Sequence, residues 1–405
     1  MKTLWSFLGM VVVALLCSPC CYAQPESSAG LLIADNTEFA IELYRRVARE
    51  DGNIAMSPLS VSVATAMLYA GAAGETEREI AAAAHFTLPQ ETLHEEFGEL
   101  LDELGSRVGP RAELSFLNGL WVDHRCALLS GYGDVLREHY GATPDTVDFK
   151  GAPDDASRRI NRFVSEQTQG KIPSVVDPSL FSALTRVVLV NSVYFLAAWD
   201  HGFSESSTRP EPFYLPDGNA VSVDMMHKKE EVRYYQDESV QVLELPYQRS
   251  GLSMLLVLPA SDSELLDLEA RLTPALLSDW VEHLERTGIK MAIPRFEVTQ
   301  QVDLIPVLSD MGMTSAFIFG SADLSGLCGT SDLFVSHASH HVKLGITEDG
   351  TEAAAATVYV AMAGSVSPGE GETLFRADRP FMYIVRDVRR GTILFLGRVT
   401  DPASP

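Results

Sequence analysis

The 405-residue chain has few cysteines, little positive charge and no apolar run long enough to cross a bilayer. Of its five cysteines, Cys17, Cys20 and Cys21 lie within the first 23 residues, which leaves Cys126 and Cys328. Two cysteines so far apart do not make a disulfide framework, and whether they meet cannot be read from sequence. Against 31 basic residues stand 55 acidic ones, a formal net charge of -24. That balance argues against nucleic acid and anionic membranes as partners. The sequence holds no Asn-x-Ser/Thr sequon, no G-x-S-x-G elbow and no phosphate-binding loop, and His94-Glu95 lacks the second histidine of a zinc-protease helix. The missing sequon means that N-glycosylation is not expected, and the missing catalytic motifs weigh against a hydrolase. His337, His340 and His341 would project to both faces of a strand, so no metal site is expected there. No cofactor is expected either. Between Lys343 and Arg376 there is no lysine or arginine.

What is present is an ordinary folding composition, 46% hydrophobic and 21% charged. Lys2, an apolar stretch over 8–16 and small residues up to Ala23 have the form of a secretory signal, cut after Ala23. The expected mature chain is therefore exported and extracellular. Its first third reads as helical. Phe39, Leu43 and Val47 recur every four residues, and Asp51-Gly52 marks a stop. Ser57-Pro58 forms an N-cap followed by proline at the first helical position. Thr76 and Glu79 suggest a capping box for a third helix, and an acidic fourth follows over 88–104. Strands are expected at 114–122 and 186–199, the second apolar on both faces and so covered on both sides. A hairpin is expected from 381–387 and 392–399. No linker or repeat divides the rest, so residues 24–405 read as one domain.

Residues 350–374 depart from this pattern. The tract has no helical period and ends in Gly, Ser, Pro and Glu, as an exposed loop would. A loop of that length is usually functional or disordered. At strand alternation Thr351, Ala353, Ala355 and Thr357 share one face, all small, and Glu352 takes the other. Such a segment can enter a sheet without burying charge.

Five stretches in order resemble the serpins. GTEAAAAT (350–357), preceded by Glu348, is similar to the hinge of inhibitory members. FRADRPFMYIV (375–385) and FLGRVTDP match the family's C-terminal signature and close. Residues 53–76 resemble the helix beneath its "shutter", and LVNSVYFLAAWDHGF sets Asn191 and Trp199 at the spacing of its third main-sheet strand. The resemblance implies an α+β fold with three β-sheets, eight or nine helices and an exposed reactive-centre loop. It also implies a suicide-substrate inhibitor of serine proteases, not an enzyme. The cut loop would insert into the main sheet and hold the acyl-enzyme. The alternative within the family is a non-inhibitory ligand carrier or chaperone.

Carried over to this chain, Glu348, Gly350, Thr351, Glu352, Ala353, Ala354, Ala355, Ala356 and Thr357 form the hinge. Ser57, Ser60, Asn191, Trp199 and His340 form the polar shutter and breach. The family's register gives Gly364-Ser365 as the reactive bond, with Met362 and Ala363 as alternatives. The small, aliphatic surroundings point to an elastase-like or subtilisin-like target. The acidic fourth helix makes heparin an unexpected partner, and a monomer is expected.

Overall fold

The computed structural model describes residues 27–107, 112–260, 264–330, 332–351 and 373–404. The leader, residues 352–357 of the hinge and all candidate reactive-bond residues lie outside the described residues.

The helical third is built as the residues require. The helix α1 (Ser28–Val47) is capped by Ser27, whose hydroxyl accepts from Gly30 N at 3.1 Å. Strand β1 (Ile54–Met56) leads into α2 (Pro58–Tyr69), with Ser57 as N-cap and Pro58 in the first turn. Every residue of α2 is buried, so it runs through the core. The capping box expected at Thr76 and Glu79 is not formed. Helix α3 (Gly74–Ala83) has its N-cap three residues earlier, at Ala73, which has no side-chain cap. Thr76 instead meets Ser315 Oγ at 2.9 Å, and Glu79 accepts from the backbone of Thr314 and Ser315. A tertiary contact has taken both groups from the local motif. The remaining helices are α4 (Gln90–Arg107), α5 (Ser130–Tyr140), α6 (Pro153–Gln167), α7 (Glu264–Arg271), α8 (Pro274–Glu282), α9 (Leu304–Asp310) and α10 (Ser325–Cys328). Ten helices among the described residues exceed the expected count because the four-residue α10 is included.

The other strands are β2 (Ala112–Asp123), β3 (Asp145–Val147), β4 (Val187–Ala198), β5 (Arg209–Tyr214), β6 (Ala220–Gln236), β7 (Val240–Pro246), β8 (Leu252–Pro259), β9 (Glu285–Pro294), β10 (Phe296–Asp303), β11 (Val335–Ile346), β12 (Gly350–Thr351), β13 (Thr373–Arg376), β14 (Phe381–Asp387) and β15 (Ile393–Val399). They form a nine-stranded network and a six-stranded sheet. Two of the three expected sheets share the 17-residue β6, which pairs with β5 and β9 and then turns onto β7, so their ladders run on as one.

The six-stranded sheet has the order β10-β11-β12-β4-β2-β3. Its β4 is covered on both faces, as its two-sided apolar pattern requires. Val187, Leu189, Val193 and Phe195 join the main core, whereas Val188 and Val190 pack with Trp121, Ile160 and Val164 beneath α6. Cys126 and Cys328 are joined in a disulfide with their Cα atoms 5.7 Å apart.

Candidate functional site

The site is a seam between β11 and β4. Over most of their length these strands pair directly and in parallel, from Val335↔Val187 to Lys343↔Tyr194. Above Lys343 the chain turns back, and β12 lies between them. Thr351 pairs with Ile346 on one side and Ala197 on the other, antiparallel to both strands. The seam is thus open by two residues at its top and closed below.

Gly350 makes this turn possible. Its φ of +151° suits glycine, and a Cβ there would stand 2.0 Å from Ala197 O. Thr351 is fully buried, with its hydroxyl 2.6 Å from that of Tyr247. Trp199 closes the top. Its ring stacks on Tyr247 at 4.6 Å, and its Nε1 donates to Thr347 O at 3.0 Å. Glu348 accepts from Arg295 Nε at 2.7 Å and Nη2 at 2.6 Å, and also from the Thr208 hydroxyl. Burial raises the Glu348 pKa, but the guanidinium and hydroxyl outweigh it and hold the carboxyl below its ordinary range. The outgoing chain is therefore anchored by a charged pair directly before it enters the sheet.

Lower in the seam the polar groups converge where β11 and β4 still touch, at the pair His340↔Asn191. Ser57 N donates to His340 Nε2 at 3.0 Å, so the ring proton must sit on Nδ1, which donates to Asn191 Oδ1. The Asn191 amide nitrogen lies 3.0 Å from Ser60 O, 2.5 Å from Ser60 Oγ and 2.5 Å from Asn118 Oδ1. Ser57 Oγ caps α2 through Ser60 N at 3.4 Å. The cluster thus ties α2, β2, β4 and β11 together across the seam.

Of the sequence-predicted residues, Ser57, Ser60, Asn191 and His340 meet in this cluster. Trp199, Glu348, Gly350 and Thr351 meet at the top. Arg295, Thr208, Tyr247 and Asn118 are partners that sequence reading does not single out. Arg295 is a lone cation in an apolar strand run, which is a usable signal. The other three carry none. His337, His340 and His341 do not converge, and among the described residues no group of three could hold a metal ion.

The histidines make stability depend on pH. Burial, with His341 nearby, pushes His340 down to about 3; burial, with His337 nearby, pushes His341 to about 4. In the unfolded chain both return to their ordinary 6.5. As pH falls below that value the unfolded state gains protons that the native state cannot take, so native stability falls. The denaturation midpoint should be flat above about pH 7 and decline between about pH 6.5 and 5, before carboxylates titrate. His340→Gln should flatten part of that slope. An unchanged midpoint across this window in the native protein would contradict neutral, buried histidines.

A family model described as serpin (serine protease inhibitor) matches residues 34–402. Leukocyte elastase inhibitor of Equus caballus is 36% identical over 377 residues, 91% of this chain and 98% of that one. Antithrombin-III of Mus musculus is 35% identical over 377 residues, 91% of this chain and 81% of that one. Among solved structures, Serpin48 of the insect Tenebrio molitor aligns with a TM-score of 0.82 at 31% identity, covering 93% of this chain and 99% of that one. Human thyroxine-binding globulin complexed with thyroine aligns with a TM-score of 0.84 at 30% identity, covering 93% and 100%. With a parted six-stranded sheet, a glycine-hinged strand entering it and these matches along nearly its whole length, the chain belongs to the serpin family and has its α+β fold.

Proposed function

We propose that this protein is a suicide-substrate inhibitor of serine proteases, and not itself an enzyme. One observation carries the reading: Gly350 and Thr351 already lie between β11 and β4, at the open end of a seam that is otherwise closed. Continued in that register, Ala353, Ala355 and Thr357 would follow Thr351 to the buried face and Glu352 would turn to the other. Strands lie about 4.8 Å apart, so admitting a full strand means moving β11 from β4 by that amount and parting His340 from Asn191.

The protease attacks the loop and forms an acyl-enzyme. The freed hinge then enters the seam and carries the bound enzyme along it, distorting its catalytic geometry before water can deacylate it. The target we favour is elastase-like or subtilisin-like, because the loop offers small aliphatic residues and no cation. We read the chain as secreted and monomeric. Its leader pattern supports export, and so does a disulfide of the kind that persists in oxidising compartments.

The structural likeness to thyroxine-binding globulin favours one rival, a ligand carrier. Incubation with elastase, subtilisin, chymotrypsin and trypsin separates the two. The inhibitor reading expects an SDS-stable complex with elastase or subtilisin and a new N-terminus within 363–365. Simple digestion by every protease would refute it.

A further inference from the structure

The Cys126–Cys328 bridge joins the two sides of the seam at its base. On one side, Asp123 ends β2 and its N–H donates at 2.8 Å to the carbonyl of Arg186, the residue before β4. Cys126 N in turn donates to Asp123 O at 2.8 Å. Arg125 clamps the buried Asp123 carboxylate through Nε at 2.6 Å and Nη2 at 3.1 Å. Cys126 is therefore fixed to the β2–β4 side. On the other side, Cys328 ends α10, seven residues before Val335 opens β11. Next to β11, Leu333 is buried, and the Phe334 ring packs on Phe319 with centroids 5.7 Å apart. Cys328 therefore leads into β11 through residues packed at its entry, while Gly326 N also ties α10 to Gly71 O at 3.0 Å.

A loop strand that fills the seam to its base must part these two sides by about one strand spacing, ~4.8 Å. The bridged Cα atoms stand 5.7 Å apart. Disulfides tolerate only about 4.4–6.8 Å, so an added displacement of that size exceeds their reach unless the backbone yields. The hinge opens one end of the seam while the bridge holds the other.

We propose that this disulfide is a redox-releasable brake on loop insertion, an inference that rests on the insertion reading above. Oxidised, it holds the base of the sheet together and slows the last part of insertion. Exchange with a dithiol releases it. Two electrons and two protons pass from the dithiol to the bridge, giving Cys126 and Cys328 thiols and the dithiol's own disulfide. Both residues are under a tenth exposed, so a small reductant should act when the base opens.

A mere staple would behave differently. It would act through the unfolded chain and stabilise intact and loop-nicked protein equally. The test therefore compares four samples, intact or nicked and oxidised or reduced with dithiothreitol. For intact protein the readout is the rate of spontaneous conversion, on warming, to a higher-melting form that no longer traps protease. We expect reduction to speed conversion by about tenfold or more, a barrier change that one strained contact can supply. We also expect it to lower the melting temperature more in intact than in nicked protein. Equal decreases with an unchanged conversion rate would overturn the brake and leave only a staple. The double variant Cys126→Ser/Cys328→Ser should match the reduced protein and ignore dithiothreitol. The hydrogen bond from Leu129 N to Leu327 O, 2.8 Å, still joins the same segments in it. If nicking the reduced protein gives no gain in melting temperature, insertion itself fails and the brake fails with it. A gain without any effect of reduction overturns the brake alone.

Discussion

Replacing Thr351 by arginine should leave the loop cleavable and abolish the SDS-stable complex. Thr351 is fully buried between Ile346 and Ala197, and its hydroxyl contacts Tyr247 beneath the sheet. A guanidinium there would be buried where a neutral hydroxyl now meets Tyr247, and burying an unpaired charge costs several kcal/mol. The residue that already holds the open end of the seam would then be the one that resists being there. Trapping depends on a race in which insertion must outrun deacylation. Each ~1.4 kcal/mol added to the insertion barrier slows it about tenfold, so a few such steps turn an inhibitor into a substrate. Thr351→Val is the matching control. It loses one hydrogen bond worth about 1 kcal/mol, keeps shape and burial, and should still trap. Gel electrophoresis of each variant with the responsive protease decides the matter, and an unchanged complex yield for Thr351→Arg would refute the mechanism.

The second large effect is thermal. Cutting the loop, by any protease and without trapping, should raise the melting temperature. Insertion exchanges one parallel ladder between β11 and β4 for two antiparallel ones, a net gain of about ten hydrogen bonds at roughly 1 kcal/mol each. For a chain of this length the unfolding entropy is about 0.8 kcal/mol/K, so ~10 kcal/mol corresponds to a rise of roughly 13 °C. Calorimetry on intact and nicked protein measures it. A carrier whose loop stays outside the sheet would show no rise.

Much of the machinery was legible in one dimension because its signals are local. Gly350 stands where backbone must approach Ala197 within the reach of a Cβ, and only glycine fits. Ser57-Pro58 announces a helix start by capping chemistry alone. Small residues at alternate positions of the hinge describe a face that can be buried whatever lies beneath it. The apolar run of β4 on both faces identifies a strand with a layer on each side. Other parts were illegible because they depend on partners distant in sequence. Thr76 and Glu79 spell a capping box, yet their acceptors and donors are used by residues 314 and 315, which no local rule can foresee. Tyr247, Thr208 and Asn118 resemble any tyrosine, threonine or asparagine until the fold brings them to Thr351, Glu348 and Asn191.

The sequence by itself therefore determined which segment can become a strand, where it pivots and that its loop offers no cation to a protease. Those are properties of consecutive residues, their size, charge and backbone freedom. Only the tertiary structure decided that the seam is parted by two residues and closed below, that His340 must carry its proton on Nδ1, and that Cys126 meets Cys328 at the base. Each of these depends on the distance between elements far apart in the chain, which strand pairing and core packing set.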